Sequence, residues 1–186
     1  MLTLVRENFP PSQGVYTLII HVRKAEKLNV GRLGLHYFPV GYYTYTGSAL
    51  GKSVSNLRNR LTRHLTRRKK LCWHIDYLLN AGSAETVAVC FAKTSERMEC
   101  LVSTVLKMLP KATIPVRGFG STDCISGCPA HLQLFIHKNP ISVVRAVSTA
   151  YKKVGLVPNL VALRASGDLE SYLKVKCNIH LSKVHL

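Results

Sequence analysis

The sequence predicts a mixed α and β domain with a single buried core, followed by a C-terminal helical extension. Three observations carry this. Short β-branched and aromatic runs alternate with longer stretches of helical periodicity. A chain of 186 residues is long enough to bury a core of its own. Hydrophobic residues make up 47% of it, which excludes a disordered chain. The character changes near Lys138, so residues 1–137 read as the domain and 138–186 as the extension.

The elements follow in order. Residues 14–22, GVYTLIIHV, are apolar and β-branched and read as a strand. Residues 30–40, VGRLGLHYFPV, are punctuated by glycine and read as a ribbon or an elaborated turn. Residues 41–47, GYYTYTG, alternate aromatic and Thr residues as a second strand. A basic helix is expected over 54–69, capped by Ser53 or Ser55. A short helix over 73–80, WHIDYLLN, stops near Gly82. Residues 86–92, TVAVCFA, form the third strand, and a helix over 95–109 is closed by Pro110. Residues 116–136 hold a Gly/Cys turn and a short apolar strand, HLQLFI. Two further helical patterns, ISVVRAVSTAYKK and LESYLKVK, are separated by a loop containing Gly155, Pro158 and Gly167.

Charge narrows the partner. Lys plus Arg total 26 against 9 Asp plus Glu, a formal net charge of +17. That excess predicts a polyanionic partner, nucleic acid first and an acidic membrane surface second. A ribosome-like or merely solubilising charge is the plainer alternative. No uncharged apolar stretch reaches membrane-spanning length, and MLTLVRENFPPSQ lacks an apolar signal region. The chain reads as cytoplasmic, with its six cysteines reduced.

The basic helix has the clearest geometry. Leu57, Leu61 and Leu65 fall at i, i+4 and i+8 and form one apolar stripe. Arg60, Arg63, His64 and Arg67 occupy the neighbouring face, and Arg68, Lys69 and Lys70 extend the charge. No acidic residue interrupts Lys52 to Lys70. Like charges at helical spacing repel unless an anion lies opposite, so the face reads as one that contacts phosphate. A solvated basic face is the alternative. Lys52, Arg58, Arg63, Arg67, Arg68, Lys69 and Lys70 are the candidate backbone contacts.

Just before this helix, TGSALGKS at residues 46–53 mimics a phosphate loop. That loop needs Gly five residues before the Gly-Lys-Ser, so that successive N–H groups wrap the phosphates. Thr46 stands there instead, and Gly47 is one residue too close. A β-branched residue does not readily take the positive φ that glycine allows. A nucleotide-hydrolysing site is therefore not expected.

On the helix at 95–109, Met98, Leu101, Val102, Val105 and Leu109 form the expected apolar stripe. Glu99 falls at its edge, where a carboxylate can face a cleft, and Glu96 near its back. Further on, Cys124, Cys128 and His131 offer a Cys-x3-Cys-x2-His pattern. His137 or Cys72 would have to supply the fourth ligand. Local spacing does not complete the set, so the turn reads as reduced thiols and a hydrogen-bonded His rather than a structural zinc site. Trp73, His74 and Asp76 read as packing and a side-chain network; stacking of Trp73 on a base is the alternative.

Several of these stretches together resemble a known family. Gly14-Val15-Tyr16 followed by Tyr45-Thr46-Gly47 resembles the paired signatures of the GIY-YIG endonuclease superfamily. NLRNRLTRH at 56–64 is similar to its basic helix. VGRLGLHYFPVGYYTYTGSALG, RHL, WHIDYLL, MEC and GFGSTDC resemble its predicted Uri-type branch. The likeness spans roughly residues 14–136. It implies a small three-stranded antiparallel sheet flanked by helices, and metal-dependent hydrolysis of phosphodiester bonds. It also implies roles: Tyr16, Tyr45, Arg60 and His64 catalytic, and Glu99 the ligand of a single Mg²⁺ or Mn²⁺. A phenol can relay or accept a proton if nearby cations lower its pKa, and Tyr45 is assigned as general base or water-positioning group on that ground. The expected function is an endonuclease acting on DNA rather than RNA, including unusual DNA structures. A non-catalytic nucleic-acid-binding module and a basic RNA-assembly protein are the alternatives.

Overall fold

The computed structural model describes residues 6–66, 69–136 and 139–163. Its strands are β1 (Gly14–Val22), β2 (Glu26–Asn29), β3 (Leu35–Phe38), β4 (Gly41–Ala49), β5 (Ala84–Lys93), β6 (Ala112–Thr113), β7 (Leu132–Phe135) and β8 (Asn159–Ala162). Its helices are α1 (Leu57–Leu65), α2 (His74–Leu79), α3 (Glu99–Lys107) and α4 (Pro140–Lys153). The LESYLKVK helix falls outside the described residues.

The sheet corrects the three-stranded expectation. Among the described residues it has six strands in the order β6-β7-β4-β1-β5-β8, and every neighbouring pair is antiparallel. β4, β1 and β5 are its centre. β7 pairs with β4 through Tyr42–Tyr45, and β8 pairs with β5 through Ala88–Phe91. The added strands are two to four residues long; β7 lies in the expected apolar run HLQLFI, while β6 and β8 are too short for a strong pattern of their own. They form because bare edges of a three-stranded sheet would leave rows of N–H and C=O groups unpaired. The ribbon between β1 and β4 is a separate two-stranded sheet, β2 with β3.

β1 is buried on both faces, which explains its nearly unbroken apolar run. Tyr16, Leu18, Ile20 and Val22 point to one side, where Leu57, Leu61, Ile75 and Leu78 of α1 and α2 pack. Val15 and Ile19 point to the other, against Met98, Val102 and Leu106 and the Val143, Val144, Val147 and Tyr151 face of α4. A strand alternates its side chains, so one sheet separates two helix layers. Burial of Leu57 and Leu61 stabilises α1 by about 1.5–3 kcal/mol each.

Local chemistry corrects two helix details. The side chain of Asn56, not Ser53 or Ser55, caps α1 by accepting the Asn59 N–H at 3.0 Å. The Ser53 carbonyl accepts from the amides of Asn56 and Asn59 instead. Helix α3 starts at Glu99 rather than 95, and Leu101 lies 53% exposed, so the buried stripe runs through Met98, Val102 and Leu106.

Two glycines fix how the central strands and α1 meet. Tyr16 lies opposite Gly47, and a Cβ on Gly47 would sit 2.6 Å from the Tyr16 hydroxyl oxygen. A Cβ on Gly14 would meet the Ala92 carbonyl at 2.3 Å and Leu57 at 2.5 Å. Gly47→Ala is expected to cost about 1–3 kcal/mol through overpacking. Gly82→Ala, at a position with open space, should cost far less. Thermal melts of the two variants check this; equal melting points would mean that Tyr16 does not press on Gly47.

Candidate functional site

A cleft of about 680 Å³ opens between the end of β4, the starts of α2 and α3, and the loop that precedes β7. Its floor follows from strand pairing. β7 reaches only as far as Tyr45 on β4, and beyond it the Thr46 N–H bonds to the His131 carbonyl. The end of β4 therefore faces the cleft with Tyr45, Gly47 and Ser48 among its lining.

Tyr16 and Tyr45 sit on the α1 side of the sheet. Tyr16 is fully enclosed and bonds through its hydroxyl to His64 Nε2 at 2.8 Å. The His64 ring stands edge-on to Tyr45 with centroids 6.2 Å apart, and 5.5 Å from Trp73. Tyr45 and Arg60 line the cleft, and the Arg60 guanidinium lies 4.8 Å from the Trp73 ring centroid. Tyr16 and His64 lie beneath that surface. His64 occupies the buried side of α1 rather than its basic face.

Burial governs the titration of this group. It pushes the Tyr45 phenol well above its ordinary value, outweighing the lowering by Arg60. The lowered phenol pKa expected for Tyr45 is thus reversed, because desolvation exceeds the pull of the nearby cation. Tyr16 is raised for the same reason, again against Arg60. His64 is pushed down to about 3 by burial first and by Lys69 second. Both phenols and the imidazole are neutral at ordinary pH.

Glu99 reaches the same cleft by another route. Helix α3 packs on the opposite face of the sheet from α1. Glu99 is its first residue, and its carboxylate accepts the hydroxyl of Ser48 near the end of β4. Its second oxygen lies 3.9 Å from the guanidinium of Arg97, which is itself exposed. Tyr45, Arg60 and Glu99 thus line one cleft from both sides of a strand edge.

Much of the basic helix finds its counter-charge inside the chain. Arg63 forks onto both oxygens of buried Asp76 at 2.9 and 2.8 Å and lies 4.0 Å from the Trp73 ring centroid. Asp76 also accepts the Cys72 and Trp73 N–H groups. Burial would raise this carboxyl; those hydrogen bonds outweigh it and hold the pKa below its usual value. Lys69 donates to the His64 and Arg63 carbonyls at the end of α1 and lies 3.9 Å from Asp76. Burial lowers it to about 8. Arg58 donates to the Phe9 carbonyl at 2.8 Å. Lys52 and Lys70 are exposed, and Arg67 and Arg68 lie outside the described residues.

A second cluster occupies the far wall. Cys100 follows Glu99 on α3, and its sulfur is 3.3 Å from Cys124 Sγ and 3.6 Å from His131 Nε2. With Cys128, these four ligand atoms all lie within 4.8 Å of one another and could hold a metal ion. The set that local spacing left incomplete is completed by Cys100, not by Cys72, and His137 lies outside the described residues. Cys100 stands 24 positions from Cys124, so only the packing of α3 against the loop reveals it. Ser48, the partner of Glu99, gave no signal in the sequence either.

The His64 environment sets a pH dependence. Its folded value of about 3 lies below the ordinary 6.5, so the unfolded chain binds the extra proton between those limits. Stability from this site is complete above about pH 6.5 and declines as the pH falls toward 3, by up to about 1.4 kcal/mol per pH unit. His64→Gln keeps a side chain able to bond Tyr16 but does not titrate. Denaturation across pH 4–7 should give a shallower acid slope for this variant, by about one proton. Parallel slopes would overturn the assignment.

No curated protein and no solved structure matches the chain. A family described as "Domain of unknown function DUF123" matches residues 15–156. That span runs from β1 through α4 and takes in the cleft and the Cys/His cluster. The chain belongs to the DUF123 family.

Proposed function

We propose that this protein is a divalent-metal-dependent endonuclease that hydrolyses phosphodiester bonds in DNA. The observation that carries the proposal is the meeting of Tyr45, Arg60 and Glu99 in one cleft of a chain with net charge +17. The resemblance of the Gly-Val-Tyr and Tyr-Thr-Gly stretches to the GIY-YIG signatures supports it.

Each residue type suits a step. Arg60 can fork two hydrogen bonds onto a phosphate and offset the charge that develops on it. Tyr45 stays protonated, so its hydroxyl serves as a donor that orients a phosphate oxygen or the attacking water, not as a resting-state phenolate base. Behind it, the neutral Tyr16–His64 pair, joined by a hydrogen bond, packs against the Tyr45 ring.

The donor set at Glu99 fits a hard cation. A single carboxylate at an open cleft suits Mg²⁺ or Mn²⁺, which keeps most of its own water. When bound there, the cation would neutralise the leaving oxygen and polarise the phosphate. Ser48 fixes the rotamer of its ligand. Asp123 also lines the cleft.

Incubation of the full chain with supercoiled plasmid tests the reading. Nicking should require Mg²⁺ or Mn²⁺ and fall on the order of 10²–10³-fold in Glu99→Gln and in Arg60→Lys. Salt-sensitive binding without cleavage, on plasmid and on branched DNA alike, would leave a binding module instead. Co-purification with ribosomal particles would favour the RNA-assembly alternative.

A further inference from the structure

We propose that Cys100, Cys124, Cys128 and His131 bind one Zn²⁺ as a closed structural site that locks the start of α3 to the loop before β7. The site does not depend on the nuclease reading.

The donors identify the metal. Three thiols and one imidazole are the soft and borderline ligands that Zn²⁺ takes in tetrahedral structural sites. The spacing agrees. With zinc–sulfur bonds of about 2.3 Å, the edge of such a tetrahedron is about 3.8 Å. The Cys100–Cys124 and Cys100–His131 separations of 3.3 and 3.6 Å lie close to that edge. The outer limit of 4.8 Å closes with small side-chain shifts. A disulfide does not explain the sulfur pair, since 3.3 Å far exceeds a sulfur–sulfur bond of about 2.05 Å. Four protein ligands leave no open position for water or substrate, so the site is structural rather than catalytic.

The loop supplies the reason for a staple. Between β6 and β7 it runs without helix or strand, which is uncommon for so long a segment in a packed domain. It is preshaped by turns: Cys124 N–H donates to Ser121, Gly127 N–H to Cys124, and Gly118 N–H to Pro129. On its α2 side, the Gly120 N–H donates to His74 Nδ1. On its α3 side, the four ligands take the corresponding place. The Phe119 ring and Ala130 are buried between these anchors, whereas Ile125 is almost fully exposed at the tip. On binding, the three thiols release their protons to solvent and the imidazole binds as the neutral ring. Because Cys100 follows Glu99, the same ion sets the backbone that aims the Glu99 carboxylate at Ser48 and the cleft.

Metal analysis of the full chain, purified without chelator and without an added histidine tag, tests the proposal. One zinc per chain is expected. After metal removal, Co²⁺ should restore a tetrahedral spectrum with thiolate charge-transfer bands. Cys100→Ser and Cys128→Ser should each lose the stoichiometric zinc, and His131→Cys should keep it. Chelation of the wild-type chain should speed amide exchange in residues 99–107 and 118–131 while β1 and β5 remain protected. Three results would overturn the site: a wild-type chain that neither carries zinc nor gives the Co²⁺ bands, iron in place of zinc, or unchanged zinc content in Cys100→Ser. A catalytically dead Glu99→Gln protein that still carries its zinc would separate this inference from the nuclease reading.

Discussion

The Tyr16 ring lies across Gly47, and this close approach between β1 and β4 orders everything around the cleft. It holds the register in which Leu18 faces Tyr45, and so places both tyrosines on the face covered by α1. Helix α1 approaches because Gly14, at the start of β1, leaves room for Leu57. With the helix seated, His64 falls onto the Tyr16 hydroxyl and against the Tyr45 edge. A side chain at either glycine would push apart groups that touch within about one van der Waals contact. The glycines of both tripeptides are thus packing requirements before they are anything else.

Burial decides the electrostatics of the same region. Eight positive side chains lie from Lys52 to Lys70 with no acid among them, yet α1, within that stretch, is not simply a charged surface. Asp76, from the next helix, draws in Arg63 and Lys69. Arg58 is held by a backbone carbonyl. Arg60 is left at the cleft, over the Trp73 ring. The tyrosines beneath it feel its charge, but desolvation is the larger effect and keeps them protonated. With its phenol protonated and the Arg60 guanidinium beside it in the cleft, Tyr45 is arranged to donate a hydrogen bond to an anion rather than to take a proton from one.

What the sequence showed depended on the range of the interaction. β1 and β5 were legible from their largely apolar, largely buried runs, and β4 from its alternating aromatic and Thr residues. β7 was legible as the short apolar run HLQLFI, whereas β6 and β8 were not, since they owe their state to edges already formed. The Leu57–Leu61–Leu65 stripe was readable from period alone, as packing confirms. The inward turn of His64 was not, because its partner Tyr16 lies 48 residues away. Glu99 could be picked as a border carboxylate, although the helix begins at that residue and its partner is Ser48. Cys124, Cys128 and His131 stood out as a pattern; Cys100 could not, because it joins them only through the packing of α3.

The cleft thus has two differently built walls around one strand edge. On one side, packing against the sheet fixes Arg60 and Tyr45. On the other, the α3 terminus carries Glu99 next to the proposed zinc ligands. The reading of this cleft as a phosphodiester site rests on Glu99 taking a hard cation in front of Tyr45 and Arg60. Mn²⁺ titration of the zinc-loaded, isotope-labelled chain, followed by paramagnetic broadening of its amide signals, measures this most directly. The account predicts broadening centred on Ser48, Glu99 and the end of β4, and its loss in Glu99→Gln. Broadening centred elsewhere, or none in the wild-type chain, would contradict it.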